Sequence, residues 1–191
     1  MAIAGLVAVS TRLWLVRHGA TDWSDAGRLT GWTDVPLNEG GRLQAEILHA
    51  TLVQSEFAGI WSSDLERAVE TARVAVGGAT PDRRLRELNF GDLEGRTWDD
   101  CPLEVQEELL AFDRFVAPGG ESVVALRERV LDFITRLSRG DHLVFTHGGV
   151  VRLLLREAGH DGRVPPGGLV VVVWPDEGSV PPAATIMSNR F

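Results

Sequence analysis

Two short apolar segments in this 191-residue chain each end in His-Gly, and they constrain the fold more than any other feature. Residues 15–19 read Leu-Val-Arg-His-Gly, and residues 144–148 read Val-Phe-Thr-His-Gly. Each apolar segment has the length of a buried strand. In an open α/β sheet, ligands bind beyond the carboxyl ends of the strands. The repeated pattern therefore predicts two histidines, His18 and His147, at one ligand-binding edge of a sheet.

Apolar segments alternate with amphipathic ones along the chain, which indicates an α/β domain. Strands are predicted at 12–16, 57–61, 83–88, 142–146 and 169–174. Asn38 is a predicted N-cap for a helix that ends near Val53, and residues 62–64 are predicted caps for the next helix. Further helices are predicted at 103–112, 122–137 and 149–158. The chain is predicted to form one domain over 1–191, with residues 1–11 as a flexible leader.

Composition excludes several kinds of function. The formal net charge is -8, and all 19 basic residues are arginines that do not cluster in a run, so nucleic acid is not a predicted partner. Without lysine, a Walker-type P-loop and Schiff-base chemistry are excluded. The apolar start is too short to span a bilayer, and the single cysteine, Cys101, has no intramolecular partner. We therefore predict a cytoplasmic protein with no membrane partner; its oligomeric state is left open.

Four further motifs follow the first in a fixed order, and the set spans about residues 12–155. The first motif is LVRHGATDW at 15–23, and the others are GRLTGWTDVPL at 27–37, SSDLERAVETA at 62–72, LRELNFGDLEG at 85–95 and THGGVVR at 146–152. At these residues the sequence resembles the histidine phosphatase superfamily, also called the phosphoglycerate mutase-like family. The resemblance implies a three-layer α/β/α sandwich with a mostly parallel central sheet. It also implies a metal-independent phosphatase that needs no cofactor.

The resemblance implies a role for each matching residue. His18 is the expected nucleophile, Glu87 the general acid, and Arg17, Arg67 and His147 the clamp on the phosphoryl oxygens. Contacts to substrate or phosphate are expected from Gly19, Thr21, Ser24, Thr30, Gly31 and Gly148. Glu94 and Asp92 are alternative carboxylates in the same segment as Glu87. Arg28 is a candidate for a second phosphate or a carboxylate, and the loops around Trp32, Trp98 and Phe115 are expected to set specificity.

Elementary electrostatics supports these assignments. Phosphoryl transfer depends mainly on positioning and on neutralising charge over the equatorial oxygens, which two arginines and a histidine can do. Nearby Arg17 and Arg67 disfavour protonation of His18, and a nucleophilic imidazole must be neutral. A backbone carbonyl must fix its tautomer, but the sequence does not show which one.

Three functions stay open at this point. A phosphatase of small phosphorylated metabolites, sugar phosphates or cobalamin precursors among them, is favoured over a phosphoglycerate mutase. Mutases that resemble this chain carry a tyrosine three residues after the catalytic glutamate and a lysine further along, whereas this chain has Phe90 and Trp98 there. A non-catalytic module that binds phosphorylated ligands is the third candidate, although none of the expected catalytic residues is lost.

Overall fold

The computed structural model of the chain describes residues 11–174 and 183–185. Six strands form one sheet: β1 (Thr11–Arg17), β2 (Gly59–Ser62), β3 (Thr80–Pro81), β4 (Gly140–Thr146), β5 (Leu169–Trp174) and β6 (Ala183–Thr185). The helices are α1 (Asp22–Asp25), α2 (Glu39–Leu52), α3 (Glu66–Val76), α4 (Leu103–Ala111), α5 (Val123–Thr135) and α6 (Gly148–Glu157). No helix in these two described ranges is long and apolar enough to cross a membrane.

The strand order is β3-β2-β4-β1-β5-β6. β1 pairs in parallel with β4, β4 with β2, and β2 with β3, whereas β5 and β6 are antiparallel to their neighbours. Arg17 lies opposite Thr146 in the register of β1 and β4, and the amide of His18 donates to the carbonyl of Thr146 at 2.9 Å. The parallel pairing therefore brings His18 and His147 out at the same edge, as the repeated His-Gly pattern predicts.

Alternation along β1 supplies both faces of the sheet with core residues. Leu13 and Leu15 belong to a buried cluster that includes residues of α5 and α6, whereas Val16 belongs to a second cluster with residues of α2 and α3. Side chains along a strand point to opposite faces, so one strand can serve both clusters. This arrangement confirms the predicted α/β/α sandwich with a mostly parallel central sheet.

Two local predictions are wrong. Residues 83–88 are not a strand: Arg83–Leu85 form a 3₁₀ turn, because the Asp82 side chain accepts from the Arg84 amide at 2.9 Å and turns the chain. The strand in this region is the two-residue β3 instead. Residues 62–64 do not cap α3, since its N-cap is Leu65 and the carboxylate of Asp34, from another loop, accepts from the Glu66 amide at 2.8 Å.

Other local predictions hold. Asn38 caps α2, with its side chain accepting from the Gly41 amide at 2.9 Å. Of the predicted leader, residues 1–10 lie outside the described residues, and Thr11 is already the first residue of β1. A single domain over 1–191 stays a prediction.

The start of α2 lies directly against the backbone that follows His18. The Asn38 amide donates to the carbonyl of Ala20 at 3.0 Å, and the Ala20 amide donates to the side chain of Gln44 at 2.8 Å. A Cβ on Gly41 would collide with the backbone of Ala20, and a Cβ on Gly19 would collide with that of Gly41. Glycine at position 41 is therefore required by close approach.

We expect Gly41→Ala to lower the free energy of unfolding by about 1–3 kcal/mol, since the added methyl forces α2 away from the loop after His18. Gly40→Ala is the matched control on the same helix, because a Cβ there meets only the Asn38 side chain at 3.4 Å. That control is expected to raise stability by about 0.5–1 kcal/mol, the usual gain of alanine over glycine in a helix. Urea unfolding of both variants measures the difference, and equal stabilities would contradict the required close approach.

Candidate active site

Five predicted residues from distant parts of the chain meet at the edge where β1 and β4 end. Arg17 ends β1 and His18 follows it, Arg67 lies in the first turn of α3, Glu87 lies in the loop after the 3₁₀ turn, and His147 is the N-cap of α6. The ring centroids of His18 and His147 are 5.1 Å apart.

The tautomer of His18 is set by the residue after it. Its Nδ1 lies 2.7 Å from the carbonyl oxygen of Gly19, and because a carbonyl can only accept, Nδ1 carries the proton. The lone pair is then on Nε2, where Arg67 donates from Nε at 3.3 Å. Burial, followed by the charges of Arg67 and Arg17, holds the pKa of His18 well below its ordinary value of 6.5. His18 is therefore a neutral imidazole with its lone pair on Nε2.

Arg67 is fully buried, and no carboxylate in the described part of the chain is hydrogen-bonded to it. Its other two nitrogens donate to backbone carbonyls, Nη1 to Thr33 at 3.0 Å and Nη2 to Gly31 at 2.7 Å. Burial lowers the pKa of Arg67, yet a guanidinium remains protonated in proteins. Its positive charge is thus fixed beside His18, and the nearby carboxylates of Glu87, Asp34 and Glu94 act on it without a hydrogen bond.

Glu94 holds the loop that carries those two carbonyls. Its carboxylate accepts from the amides of Trp32 at 2.8 Å and Thr33 at 2.9 Å, and from the Thr33 hydroxyl. Gly31 has a φ of 56°, and a Cβ there would collide with the Glu94 carboxylate. Glu94, one of the two alternative acids, therefore supports the loop that holds Arg67. Among Glu87, Asp92 and Glu94, only Glu87 lines the pocket described below.

Glu87 is held at the N-terminus of α6. Its carboxylate accepts from the Gly149 amide at 3.0 and 3.1 Å and from the Leu88 amide at 2.9 Å. Its backbone carbonyl accepts from Trp32 Nε1 and from Arg129 Nη2, both at 2.8 Å. These contacts fix Glu87 from both ends, and Gly149 and Arg129 are site residues that the sequence reasoning missed.

Three buried nitrogens of the site have no hydrogen-bond partner among residues 11–174 and 183–185: Nε of Arg17 and both ring nitrogens of His147. Arg17 uses Nη1 to donate to the carbonyl of Val164 at 2.8 Å. Burial, followed by the charge of Arg67, holds the pKa of His147 well below 6.5, so it too is neutral. An unpaired buried polar group costs about 1–3 kcal/mol, which a ligand that pairs with it recovers. With the charge of Arg67, these groups suit a tetrahedral oxyanion.

The structure separates the remaining predicted contacts into two groups. Ser24, Thr30, Gly31 and Gly148 line the pocket. Thr21 and Gly19 do not, and their polar groups are used within the fold. Thr21 is fully buried and caps α1, with its hydroxyl accepting from the Ser24 amide at 3.0 Å. The Gly19 amide donates to the Thr71 hydroxyl at 3.1 Å, so Gly19 acts through its carbonyl on His18 rather than as a phosphate donor.

Arg17, His18, Arg67 and Glu87 line a pocket of about 370 Å³, whereas His147 is fully buried behind its lining. The pocket extends beyond these converging residues. Its additional apolar lining consists of Leu29, Phe90, Trp98, Leu109, Phe112 and Val164, with Arg28, Arg152 and Arg163 as additional charged residues. Of the three aromatic residues expected to mark specificity loops, only Trp98 lines it. Trp32 packs under Arg86 at 4.9 Å from Cζ to the ring centroid, and Phe115 is a fully buried core residue. Leu109 and Phe112 were missed because apolar helix residues look alike whether they face a core or a pocket.

Comparison with known proteins agrees with this geometry. The family model of the histidine phosphatase superfamily (branch 1) matches residues 13–167. The adenosylcobalamin/alpha-ribazole phosphatase of Salmonella typhimurium is 39% identical over 156 residues, which cover 75% of this chain and 77% of that protein. The metal-independent phosphoserine phosphatase of Arabidopsis thaliana is 34% identical and covers 75% of this chain and 67% of its own length. A crystal structure of phosphoglycerate mutase from Thermus thermophilus has a TM-score of 0.81 and 46% identity, over 90% of this chain and 98% of that one.

We expect Arg67→Gln to raise the pKa of His18 toward 6.5 without reaching it, since the largest cause of the shift, burial, remains. Arg73→Gln is the matched control, because Arg73 is an exposed arginine on the same helix. Titration of the imidazole nitrogens by NMR measures the pKa of His18 in each variant. An unchanged His18 pKa in Arg67→Gln would contradict the electrostatic contact.

We expect Glu94→Gln to weaken binding of inorganic phosphate by about tenfold, the loss of roughly one charge-assisted hydrogen bond. The glutamine amide would place an N–H group against the amide of Thr33, so the loop that anchors Arg67 would shift. Asp92→Asn, an exposed change two residues away, is expected to leave binding unchanged. Calorimetric titration with phosphate measures both, and equal affinities in the two variants would contradict a supporting role for Glu94.

Proposed function

The chain belongs to the histidine phosphatase superfamily, and we propose that His18, Arg17, Arg67, Glu87 and His147 carry its reaction. The protein is a phosphatase that hydrolyses small phosphorylated metabolites through a phosphohistidine intermediate. The observation that carries the residue assignment is the buried Nε2 lone pair of neutral His18, with the guanidinium of Arg67 beside it.

In the first half-reaction, His18 Nε2 attacks the phosphorus and the bond from phosphorus to the leaving oxygen breaks. Glu87 delivers a proton to that oxygen, so the alcohol leaves neutral. Arg17 Nε and the protonated ring nitrogen of His147, which have no partner among the described residues, donate to the equatorial oxygens, and Arg67 adds its buried positive charge. Since these groups are held before the substrate arrives, little reorganisation is needed as charge spreads over the oxygens.

In the second half-reaction, a water molecule attacks the phosphorus of phosphohistidine and the N–P bond breaks. The Glu87 carboxylate accepts the proton of that water, which returns Glu87 to its acid form. The electron pair of the N–P bond returns to Nε2, and inorganic phosphate leaves. The Gly19 carbonyl keeps the Nδ1 proton in place throughout, so the same tautomer is ready for the next turnover.

The apolar pocket lining supports a substrate whose leaving alcohol carries an apolar ring. Phe90, Trp98 and Phe112 present aromatic surface next to the phosphoryl site, and burying such surface favours binding of an apolar group. The alpha-ribazole phosphatase among the relatives supports the same class of substrate. We therefore expect phosphorylated nucleoside-like alcohols to be better substrates than small phosphorylated acids such as phosphoserine.

Phosphoglycerate mutase is the second candidate, because the Thermus thermophilus relative bears that name. A mutase must shield its phosphohistidine from water and grip a small acid from several sides. Here Phe90 and Trp98 line the pocket at the places of the tyrosine and the lysine of resembling mutases. Two apolar residues at those places favour hydrolysis.

We also propose that the reaction needs no metal ion and takes place in the cytoplasm. Buried Arg67 and partly buried Arg17 supply the positive charge that a divalent cation would otherwise supply at the phosphoryl oxygens. The cytoplasmic location is supported by the single cysteine, Cys101, which is buried and unpaired.

Turnover of p-nitrophenyl phosphate in excess EDTA tests the proposal. His18→Ala should abolish activity, because no nucleophile remains, and Glu87→Gln should lower kcat by about 10²–10⁴-fold. The matched controls are His160→Ala and Asp92→Asn, both exposed, which should retain wild-type activity. Quenching the wild type in alkaline detergent should trap a phosphoryl group on His18 that survives base and is lost in acid.

Each other outcome identifies an alternative. Inactivation by EDTA would point to a metal enzyme. Full activity of His18→Ala would exclude His18 as the nucleophile. Isomerised phosphoglycerate without free phosphate would show a mutase. Phosphate binding without turnover of any phosphomonoester would show a binding module.

A further inference from the structure

Two apolar residues of the pocket come from the end of one helix. Leu109 lies in the last turn of α4 and Phe112 is its C-cap. Phe112 has a φ of 47°, the left-handed conformation, which a bulky residue adopts only when its surroundings hold it there. The shape of this part of the pocket, which we call the α4 wall (Leu109 and Phe112), therefore depends on what holds the end of α4.

Arg152 of α6 holds that end through three contacts. Its Nη1 donates to the carbonyl of Leu109 at 2.8 Å, and its Nη2 donates to the carbonyl of Leu110 at 2.6 Å. Its Cζ lies 4.7 Å from the ring centroid of Phe112. The last carbonyls of a helix lack partners within the helix and carry partial negative charge, so a buried guanidinium is well matched to them.

Asp161 fixes the orientation of Arg152. Its carboxylate accepts from Arg152 Nε at 3.0 Å and from Nη2 at 3.4 Å, and it also accepts from Arg156 Nη1 at 2.8 Å. With Nε engaged by Asp161, both terminal nitrogens are aimed at the carbonyls of α4. Arg156 also pairs with Asp161, but none of these hydrogen bonds joins Arg156 to α4. Arg152 alone of the two therefore holds the end of α4.

Arg152 also connects the α4 wall to the phosphoryl site. It lies on α6, the helix that begins beside His147 and whose Gly149 amide holds the carboxylate of Glu87. One helix therefore carries both the groups around the reacting phosphorus and the residue that places the apolar wall. A shift of the wall changes where the leaving alcohol sits while the phosphoryl groups stay in place.

We propose that Arg152 is a specificity-determining positioning residue, which sets the α4 wall for alcohols that carry an apolar ring. The proposal rests on the proposed phosphatase function. Arg152 acts through Leu109 and Phe112 rather than on the phosphoryl group, so its loss affects substrates according to the size and polarity of their leaving alcohol.

Benzyl phosphate and ethyl phosphate test this, because both release a simple primary alcohol and differ mainly in the ring. Wild type should prefer benzyl phosphate in kcat/KM. Arg152→Met keeps an apolar stem but removes every donor, and we expect it to raise KM for benzyl phosphate about tenfold, the size of losing charge-assisted contacts. Its kcat for that substrate, and both constants for ethyl phosphate, should stay within about twofold of wild type.

The matched control is Arg127→Met. Arg127 lies on α5 and pairs with Glu157, the last residue of α6, at 2.6 Å, so its removal also costs an arginine–carboxylate pair next to α6. Arg127 makes no contact with α4 in the described hydrogen bonds. The variant should therefore leave kcat and KM unchanged for both substrates. Asp161→Asn, at an exposed carboxylate, loosens Arg152 without removing it and should raise KM for benzyl phosphate by a smaller factor; it keeps the proposal testable if Arg152→Met fails to fold.

Loss of activity toward both substrates in equal proportion, in Arg152→Met or in Asp161→Asn, would overturn the proposal, because it would show a general structural role. Unchanged constants for benzyl phosphate would overturn it as well, as would a wild type without preference for the ring. Failure of the wild type to hydrolyse either ester would instead overturn the proposed function, so the two failures are distinguishable.

Discussion

The parallel pairing of β1 with β4 is the constraint on which the rest of this structure depends. It places Arg17 opposite Thr146, so the next residue of each strand, His18 or His147, leaves the sheet at the same edge. The other site residues are added around this pair from elements packed on it: Arg67 from α3 and Glu87 from a loop tied to α6. Slipping that register by one residue would exchange the faces of β1 and remove both the core contacts and the site.

A second principle concerns how positive charge is kept available inside the protein. Several arginines near the surface pair with carboxylates, as Arg127 does with Glu157. In such a pair the carboxylate offsets the positive charge of the arginine. Arg67 instead donates to two backbone carbonyls and a histidine, so its hydrogen bonds are satisfied without a direct pair to a carboxylate. Neutral His18 follows from that arrangement, because burial next to a fixed cation disfavours protonation. Burial of Arg67 beside His18 thus accounts both for an interior positive charge and for a neutral imidazole next to it.

The two halves of the pocket differ in how they are built. The phosphoryl half uses strand ends and helix starts, where backbone geometry places each group and little variation is tolerated. The leaving-group half uses the end of α4 and nearby loops, and its position depends on side-chain contacts such as the clamp of Arg152 on the carbonyls of Leu109 and Leu110.

The sequence by itself determined the α/β class and the Asn38 cap, because strand ends, caps and short motifs are local patterns. For the same reason it predicted that Arg17, His18, Arg67, Glu87 and His147 form one site, and the structure brings these residues together. Only the tertiary structure decided which polar group meets which. It turned the Glu94 carboxylate toward the amides of Trp32 and Thr33 and directed the Gly19 amide to the Thr71 hydroxyl. It also placed Phe112, but not its core neighbour Phe115, at the pocket. The predicted strand at 83–88 failed for a related reason, since the Asp82 side chain competes with the sheet for the backbone. Partners distant in the chain are chosen by packing in three dimensions, and no local pattern encodes that choice.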